Sequence, residues 1–208
     1  MIATLTAIAA TGAGFSSDSK LLLNGKPLAA VSASASQIVA IVPNDTPTSG
    51  AIEVSVSSNG STSNSVYLPA AAAAPGIYSA DGSGYGQGYI LNADGTRNSQ
   101  SNPATPGSAI TLFVNGVGPF SQADGFAVLD QTVAVFVAGF YANGIAAVMK
   151  QVPGLPGSVY EIGVYIPTVA QLASQNPDLK NFMYPPEVEV MIDVGASASQ
   201  SGIGLWVK

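Results

Sequence analysis

The sequence predicts an all-β protein: two tandem antiparallel β-sandwiches, the second larger than the first and carrying a short helical insertion. Three observations lead there. Apolar residues recur at every second position in many short runs, Asn-Gly pairs sit between those runs, and an ordered set of segments near the start returns near the end. A period of two puts alternate side chains on one face of a sheet. An Asn-Gly pair supplies the positive φ angles of a tight hairpin. An ordered internal repeat implies two copies of one unit.

The clearest strand is Ala51–Ser57, with Ile52, Val54 and Val56 on one face and Glu53, Ser55 and Ser57 on the other, the solvent face. Similar runs occur at Leu21–Leu23, Gln37–Val42, Ser65–Leu68, Ile110–Val114, Val133–Val137, Val159–Ile166, Val188–Val194 and Ile203–Val207. Hairpin turns are expected at Asn24-Gly25, Asn59-Gly60 and Asn143-Gly144, with Asp94-Gly95 as a fourth of the kind.

The repeat sets the domain organisation. Asn24-Gly25 through Val31, then Gln37–Pro43, then Ile52–Val56 return as Asn143-Gly144 through Val148, Tyr160–Pro167 and Val188–Ile192. Ser61–Ser65 and Ser197–Ser201 then precede a closing apolar strand in each copy. The join is Pro69-Ala70-Ala71-Ala72-Ala73-Ala74-Pro75. Five alanines between prolines are too short for a stable helix, so an extended connector is expected. The expected domains are residues 1–69 and 70–208, with 70–75 as linker. Pro75–Ser108 is expected to pack on the second. That second copy carries two additions, Gly118–Gln131 and an insertion at 168–185. In the latter, Thr168 and Gln171 have capping-box spacing, and Val169, Leu172 and Ala173 share one face of a short helix.

Gly12-Ala13-Gly14-Phe15, the strand ending at Asn24-Gly25, Gln37–Pro43 and the paired final strands resemble the IPT/TIG immunoglobulin-like domain. Pro75–Tyr78, Gly86–Asn92, Asp94–Thr96, Asn98-Ser99, Asn102-Pro103 and Pro106–Ser108 resemble an uncharacterised C-terminal domain family on large secreted proteins of soil acidobacteria. The insertion after Pro167 departs from that family's pattern. The resemblance implies tandem immunoglobulin-like folds outside the cell, and neither an activity nor functional residues.

Composition narrows the chemistry. Histidine and cysteine are absent, which removes Ser-His-Asp and Cys-His nucleophilic systems and the usual zinc, haem and iron–sulfur ligand sets. The net charge is -6, and Lys20, Lys26, Arg97, Lys150, Lys180 and Lys208 are scattered singly. No basic face is therefore expected for nucleic acid or an anionic membrane surface. No apolar run reaches the length of a membrane-spanning helix, so no membrane insertion is expected. Met1–Thr6 lacks the basic start of a signal peptide. A Ser/Thr/Asn/Gly-rich, lysine-poor chain points to the surface or exterior of a bacterium.

Candidate residues follow from what remains. Paired carboxylates are one option, but Glu53, Glu161 and Glu189 alternate with apolar strand residues and are expected to face solvent, and Glu187 opens the last of these strands. No catalytic residues, no enzyme activity and no cofactor are expected. Asp81, Asn92 and Asp94 offer clustered oxygens for calcium, but without EF-hand spacing, and turn capping explains the same residues. No metal is therefore expected. Tyr78, Tyr85 and Tyr89 cluster in a glycine-rich segment and are the candidates for stacking on a ligand. The function expected is a non-catalytic structural or interaction module of a larger secreted or cell-surface protein. Its partner would be a protein or a polysaccharide, and the alternative is a carbohydrate-binding adjunct that uses the exposed aromatics.

Overall fold

The computed structural model describes residues 1–123, 126–142, 150–151 and 159–208. These residues are almost entirely β, in antiparallel sheets, with one short α-helix and one 3-10 turn. They divide into two compact units, one built on Met1–Ala74 with Asn115–Gln131, the other on Pro75–Val114, Thr132–Gln151 and Val159–Lys208.

The first unit is an immunoglobulin-like sandwich. One sheet has the order Ala7–Thr11, Gln37–Ile41, Ala30–Ala33. The other has the order Lys26–Pro27, Lys20–Leu23, Ala51–Ser58, with Ser61–Thr62 and Val66–Pro69 also paired to Ala51–Ser58. Ile38 and Ala40 come from the first sheet and Val42 from just beyond its middle strand, Leu21, Leu23 and Ile52 come from the second, and with Ile2 and Leu28 they form the buried core. The two Asn-Gly turns behave as their sequence requires: φ is 48° and 75° at Asn24-Gly25, and 49° and 74° at Asn59-Gly60. The alanine run is extended, and it is also stitched in place. Ala70 bridges Ile2, Ala71 N–H donates to Ile2 O at 2.9 Å, and Ala74 N–H donates to Gly116 O at 2.8 Å. Gly116, at φ 65°, lies so close to the Ala74 carbonyl that no Cβ fits there.

The second unit repeats this pairing order. Phe140–Tyr141, Val133–Val137, Glu187–Val194 and Ile203–Trp206 are neighbours in one sheet, with Ser197–Ala198 on Glu187–Val194. Ala109–Asn115, Tyr160–Tyr165 and Lys150–Gln151 are neighbours in the other. The register repeats as well: Ala7 pairs with Ile41 ahead of Val42-Pro43, and Ala109 pairs with Tyr165 ahead of Ile166-Pro167. The second unit then adds what the first lacks. Gly76–Ile77 and Ile90–Asn92 extend the sheet beyond Ala109–Asn115, and Gly86–Gln87 runs parallel to Ile203–Trp206 at the edge of the other. The segment that begins at Pro75 therefore closes one flank of the second sandwich.

The helix forms as the sequence predicts, at Val169–Gln175, with Thr168 as N-cap, a complete capping box to Gln171, and Leu172 buried. Its insertion continues as a 3-10 turn over Pro177–Asn181 capped by Asn176. Two expectations need correction. Ser55, expected to face solvent, is 6% exposed, because its ladder partner Leu22 shields a side chain this small in mid-sheet. At Asp94-Gly95 only the glycine takes a positive φ, 81°. The Asp94 carboxylate caps Thr96 instead, and the loop closes through Asn92 N–H to Thr96 O at 2.8 Å. The Asn143-Gly144 turn and the segment of the repeat that runs from it through Val148 lie outside the described residues. No helix among the described residues is long and apolar enough to cross a membrane.

Candidate functional site

Several polar side chains of the Pro75–Ser108 segment, and Gln200 outside it, stand in for missing backbone partners. Asn98 is 2% exposed. Its Nδ2 donates to Trp206 O at 2.8 Å and to Asn92 Oδ1 at 3.1 Å, and its Oδ1 accepts from Trp206 N–H at 2.8 Å. It thereby pins the loop to the last strand as a strand residue would. Gln200 does the same for Ile77, whose N–H donates to Gln200 Oε1 at 3.0 Å. A loop packed against sheet edges leaves backbone groups that must find partners, and amides offer a donor and an acceptor together.

The calcium candidates are placed by the same logic. Asp81 Oδ1 accepts from the Ser83 N–H at 2.9 Å, the Ser83 hydroxyl at 2.7 Å and the Ser79 hydroxyl at 3.0 Å. The Ser83 amide, then the two hydroxyls, hold its carboxyl down to about 2. Asp94 Oδ1 accepts from the Thr96 hydroxyl at 2.6 Å and the Thr96 N–H at 3.0 Å, which lower its pKa in the same way. Asn92 donates to Asn102 O at 3.0 Å. Asp81 and Asp94 are turn-capping groups, and Asn92 ties together residues six and ten positions further along the same loop. Among the described residues no three His, Cys, Asp or Glu side chains are grouped to hold a metal ion.

The glutamates are placed on strands. Glu53 and Glu161 are half-buried, and Glu187 and Glu189 are exposed on the same side of Glu187–Val194. Both of the latter side chains lie back on the neighbouring strand. Glu187 lies over Gly204, where it occupies the space a Cβ would take, and Glu189 Oε1 accepts from Gly202 N–H at 2.7 Å. Beyond them, Phe136, Gly139, Glu189, Met191 and Asp193 line a shallow concavity of about 230 Å³. Glu189 and Asp193 stand roughly 13 Å apart along their strand at ~3.3 Å per residue. A glycosidase pair needs roughly 5–9.5 Å.

The tyrosines divide. Tyr78 is half-buried, and its backbone bonds Phe113 O at 2.9 Å and Tyr89 N–H at 2.7 Å. Tyr89, 37% exposed, meets Phe113 edge to face at 5.1 Å, while the Arg97 guanidinium covers its ring face at 4.5 Å. Tyr85 is 65% exposed. It stands between Gly84 and Gly86, both at positive φ, with its ring edge 3.7 Å from where a Cβ on Gly202 would lie. A ring held beside a glycine leaves a face open for stacking. Arg97 escaped the sequence reading as one of six scattered cations. The signal was the Asp94-Gly95 turn, which folds the chain back so that Arg97 bridges Leu91, two residues from Tyr89. A guanidinium held on an aromatic face keeps its in-plane donors for a partner.

The model of the IPT/TIG domain family matches residues 2–68. No curated protein sequence matches the chain. Among solved structures, a surface glycan-binding protein from Prevotella bryantii is similar over 96% of this chain, at 12% identity and a TM-score of 0.30. The chain spans 36% of that protein's length.

Proposed function

We propose that the chain is a non-catalytic immunoglobulin-like interaction module of a secreted or cell-surface bacterial protein, and that its tyrosine face takes a polysaccharide. Tyr85 carries this reading. It is a large ring, mostly exposed, on a tip fixed by three hydrogen bonds to Asp81 and by the Gly86–Gln87 pairing. Ordering an exposed aromatic is useful where it meets a flat apolar partner such as a pyranose face, since little entropy is then lost on binding. Arg97 on Tyr89 adds a cationic contact beside it. The carboxylates point away from catalysis, because they cap turns or lie back on neighbouring strands. The resemblance of Pro75–Ser108 to a secreted acidobacterial family favours the exterior. Duplication of one sandwich, divided near Pro69 into residues 1–69 and 70–208, belongs to the same proposal and is favoured by the repeated pairing order.

Affinity electrophoresis through gels containing plant, fungal or bacterial polysaccharides tests this reading, with reducing-end release measured on the same set. Retardation by at least one polymer, lost in Tyr85→Ser and unaccompanied by reducing ends, is expected. Unchanged mobility in every gel overturns the polysaccharide reading, and release of reducing ends overturns the non-catalytic one.

A further inference from the structure

The two units repeat one pairing order, yet among the described residues only the second has its flank closed. In the first unit a cleft of about 450 Å³ opens between the edge strands Ala7–Thr11 and Val66–Pro69, lined by Ile8, Ala10, Phe15, Val56, Val66 and Leu68 among others. Register and repeat together give each of these strands a counterpart. Ile8 corresponds to Ile110, Val66 to Ile203, and Leu68 to Leu205. Ile8 and Leu68 are half-buried, and Val66 is 53% exposed. Ile110, Ile203 and Leu205 are at most 1% exposed. The difference is Gly76–Asn92, which lays Ile77 and Ile90, both buried, along the flank of the second unit. There Ile90–Asn92 pairs antiparallel to Ala109–Asn115, and Gly86–Gln87 pairs parallel to Ile203–Trp206.

We propose that the open flank of the first unit is a strand-acceptor site for an extended segment of a partner protein, with isoleucine-like side chains facing inward. The second unit supplies the template for that occupant: an extended backbone, glycines where it crosses from one sheet edge to the other, and two β-branched apolar anchors. Two features make the acceptor competent. Among the described residues Ala7–Thr11 is the outer strand of its sheet, so one side of its backbone is open for antiparallel pairing. The apolar floor is already formed by Val54, Val56 and Phe15, which pack on the core while remaining partly exposed. Main-chain pairing would supply affinity, and the cleft would select side chains at alternate positions.

The test adds a synthetic peptide with the sequence of Gly76–Asn92 to the labelled full chain and follows amide shifts by NMR. Saturable shifts confined to Ala7–Thr11, Val54–Val56 and Val66–Leu68 are expected. A peptide with the positions of Ile77 and Ile90 changed to serine should bind roughly tenfold or more weakly, since burial of each isoleucine is lost. Val66→Lys places a charge in the cleft at an exposed position and should abolish binding. Tyr67→Lys, one residue along the same strand but outside the cleft lining, should leave it unchanged. No shift at millimolar peptide overturns the proposal. So does binding that Tyr67→Lys removes and Val66→Lys spares. Concentration-dependent self-association through the same residues, assigning the flank to a second molecule of this chain, also overturns it.

Discussion

Replacing Asn98 with alanine tests whether the amides of Pro75–Ser108 are structural. The side chain is 2% exposed and exchanges two 2.8 Å hydrogen bonds with the Trp206 backbone. A third reaches Asn92 Oδ1 at 3.1 Å. Alanine leaves the Trp206 N–H without its partner, while Trp206 O keeps the Ala104 N–H at 2.9 Å, and an orphaned group costs about 1–3 kcal/mol when dry. Trp206 is half-buried, so water recovers part of the loss, and with the two lost side-chain bonds the expected destabilisation is about 2 kcal/mol. Aspartate separates the two halves of the effect. It keeps an acceptor for Trp206 N–H but turns an oxygen toward Trp206 O and Asn92 Oδ1, burying a charge with no cation. Asn98→Asp should therefore be worse than alanine at neutral pH and recover as the pH falls and the carboxyl protonates. The single tryptophan, Trp206, makes fluorescence-monitored urea unfolding a direct readout, with the midpoint falling at unchanged slope. An Asn98→Ala shift under about 0.5 kcal/mol, the size of an ordinary surface change, would refute the reasoning. So would aspartate and alanine variants that behave alike at every pH.

Three further outcomes are expected. Ala138 occupies φ 53° ahead of Gly139 at 78° in the turn joining Val133–Val137 to Phe140–Tyr141; Ala138→Asn should raise stability by about 0.5–1 kcal/mol in thermal unfolding, because asparagine tolerates the left-handed region. Thr168→Ala removes the N-cap hydroxyl and with it the side-chain half of the capping box, leaving the residue-168 N–H to Gln171 Oε1 bond, so hydrogen exchange across Val169–Gln171 should quicken roughly fivefold, a local loss of about 1 kcal/mol. Asp81 has a folded pKa of about 2 against an ordinary 3.8. The depressed value means its contribution is complete above the ordinary value and is lost as pH falls toward the folded one. The Ser83 amide shift should titrate near pH 2, and Asp81→Asn should abolish that titration.

What the sequence could reveal was local. Period-two runs located Val133–Val137, Tyr160–Tyr165 and Glu187–Val194 because one face of each is buried, and burial writes itself into alternation. Thr168 and Gln171 announced the helix because a capping box needs only residues three apart. Asn24-Gly25 and Asn59-Gly60 did the same for hairpins. The candidate site was harder because its features depend on residues far apart in the chain. Gly76–Ile77 and Gly86–Gln87 are two-residue strands with no period, defined only by the edges they join. Asn98 is a turn residue by composition and a core residue by contact, since its partner Trp206 lies 108 positions away. Tyr85 and Tyr89 looked equivalent in sequence, yet Arg97 covers one ring and leaves the other open. Likewise Val66 and Ile203 are matching strand residues, and only the presence of a covering segment separates an exposed one from a buried one.

The contrast between a closed and an open copy of one sandwich is tested most directly by native-state hydrogen exchange at matched strands. The outward amides of Ala109–Asn115 are covered by Gly76–Ile77 and Ile90–Asn92, while those of Ala7–Thr11 face an open flank. Amides in the first set should be protected by roughly a hundredfold or more over their counterparts, the span separating core strands from exposed edges. Equal protection of Ala7 and Ala109, or of Ala9 and Thr111, whose amides point away from the paired strand in each copy, would contradict an open acceptor flank and remove the basis for a partner strand there.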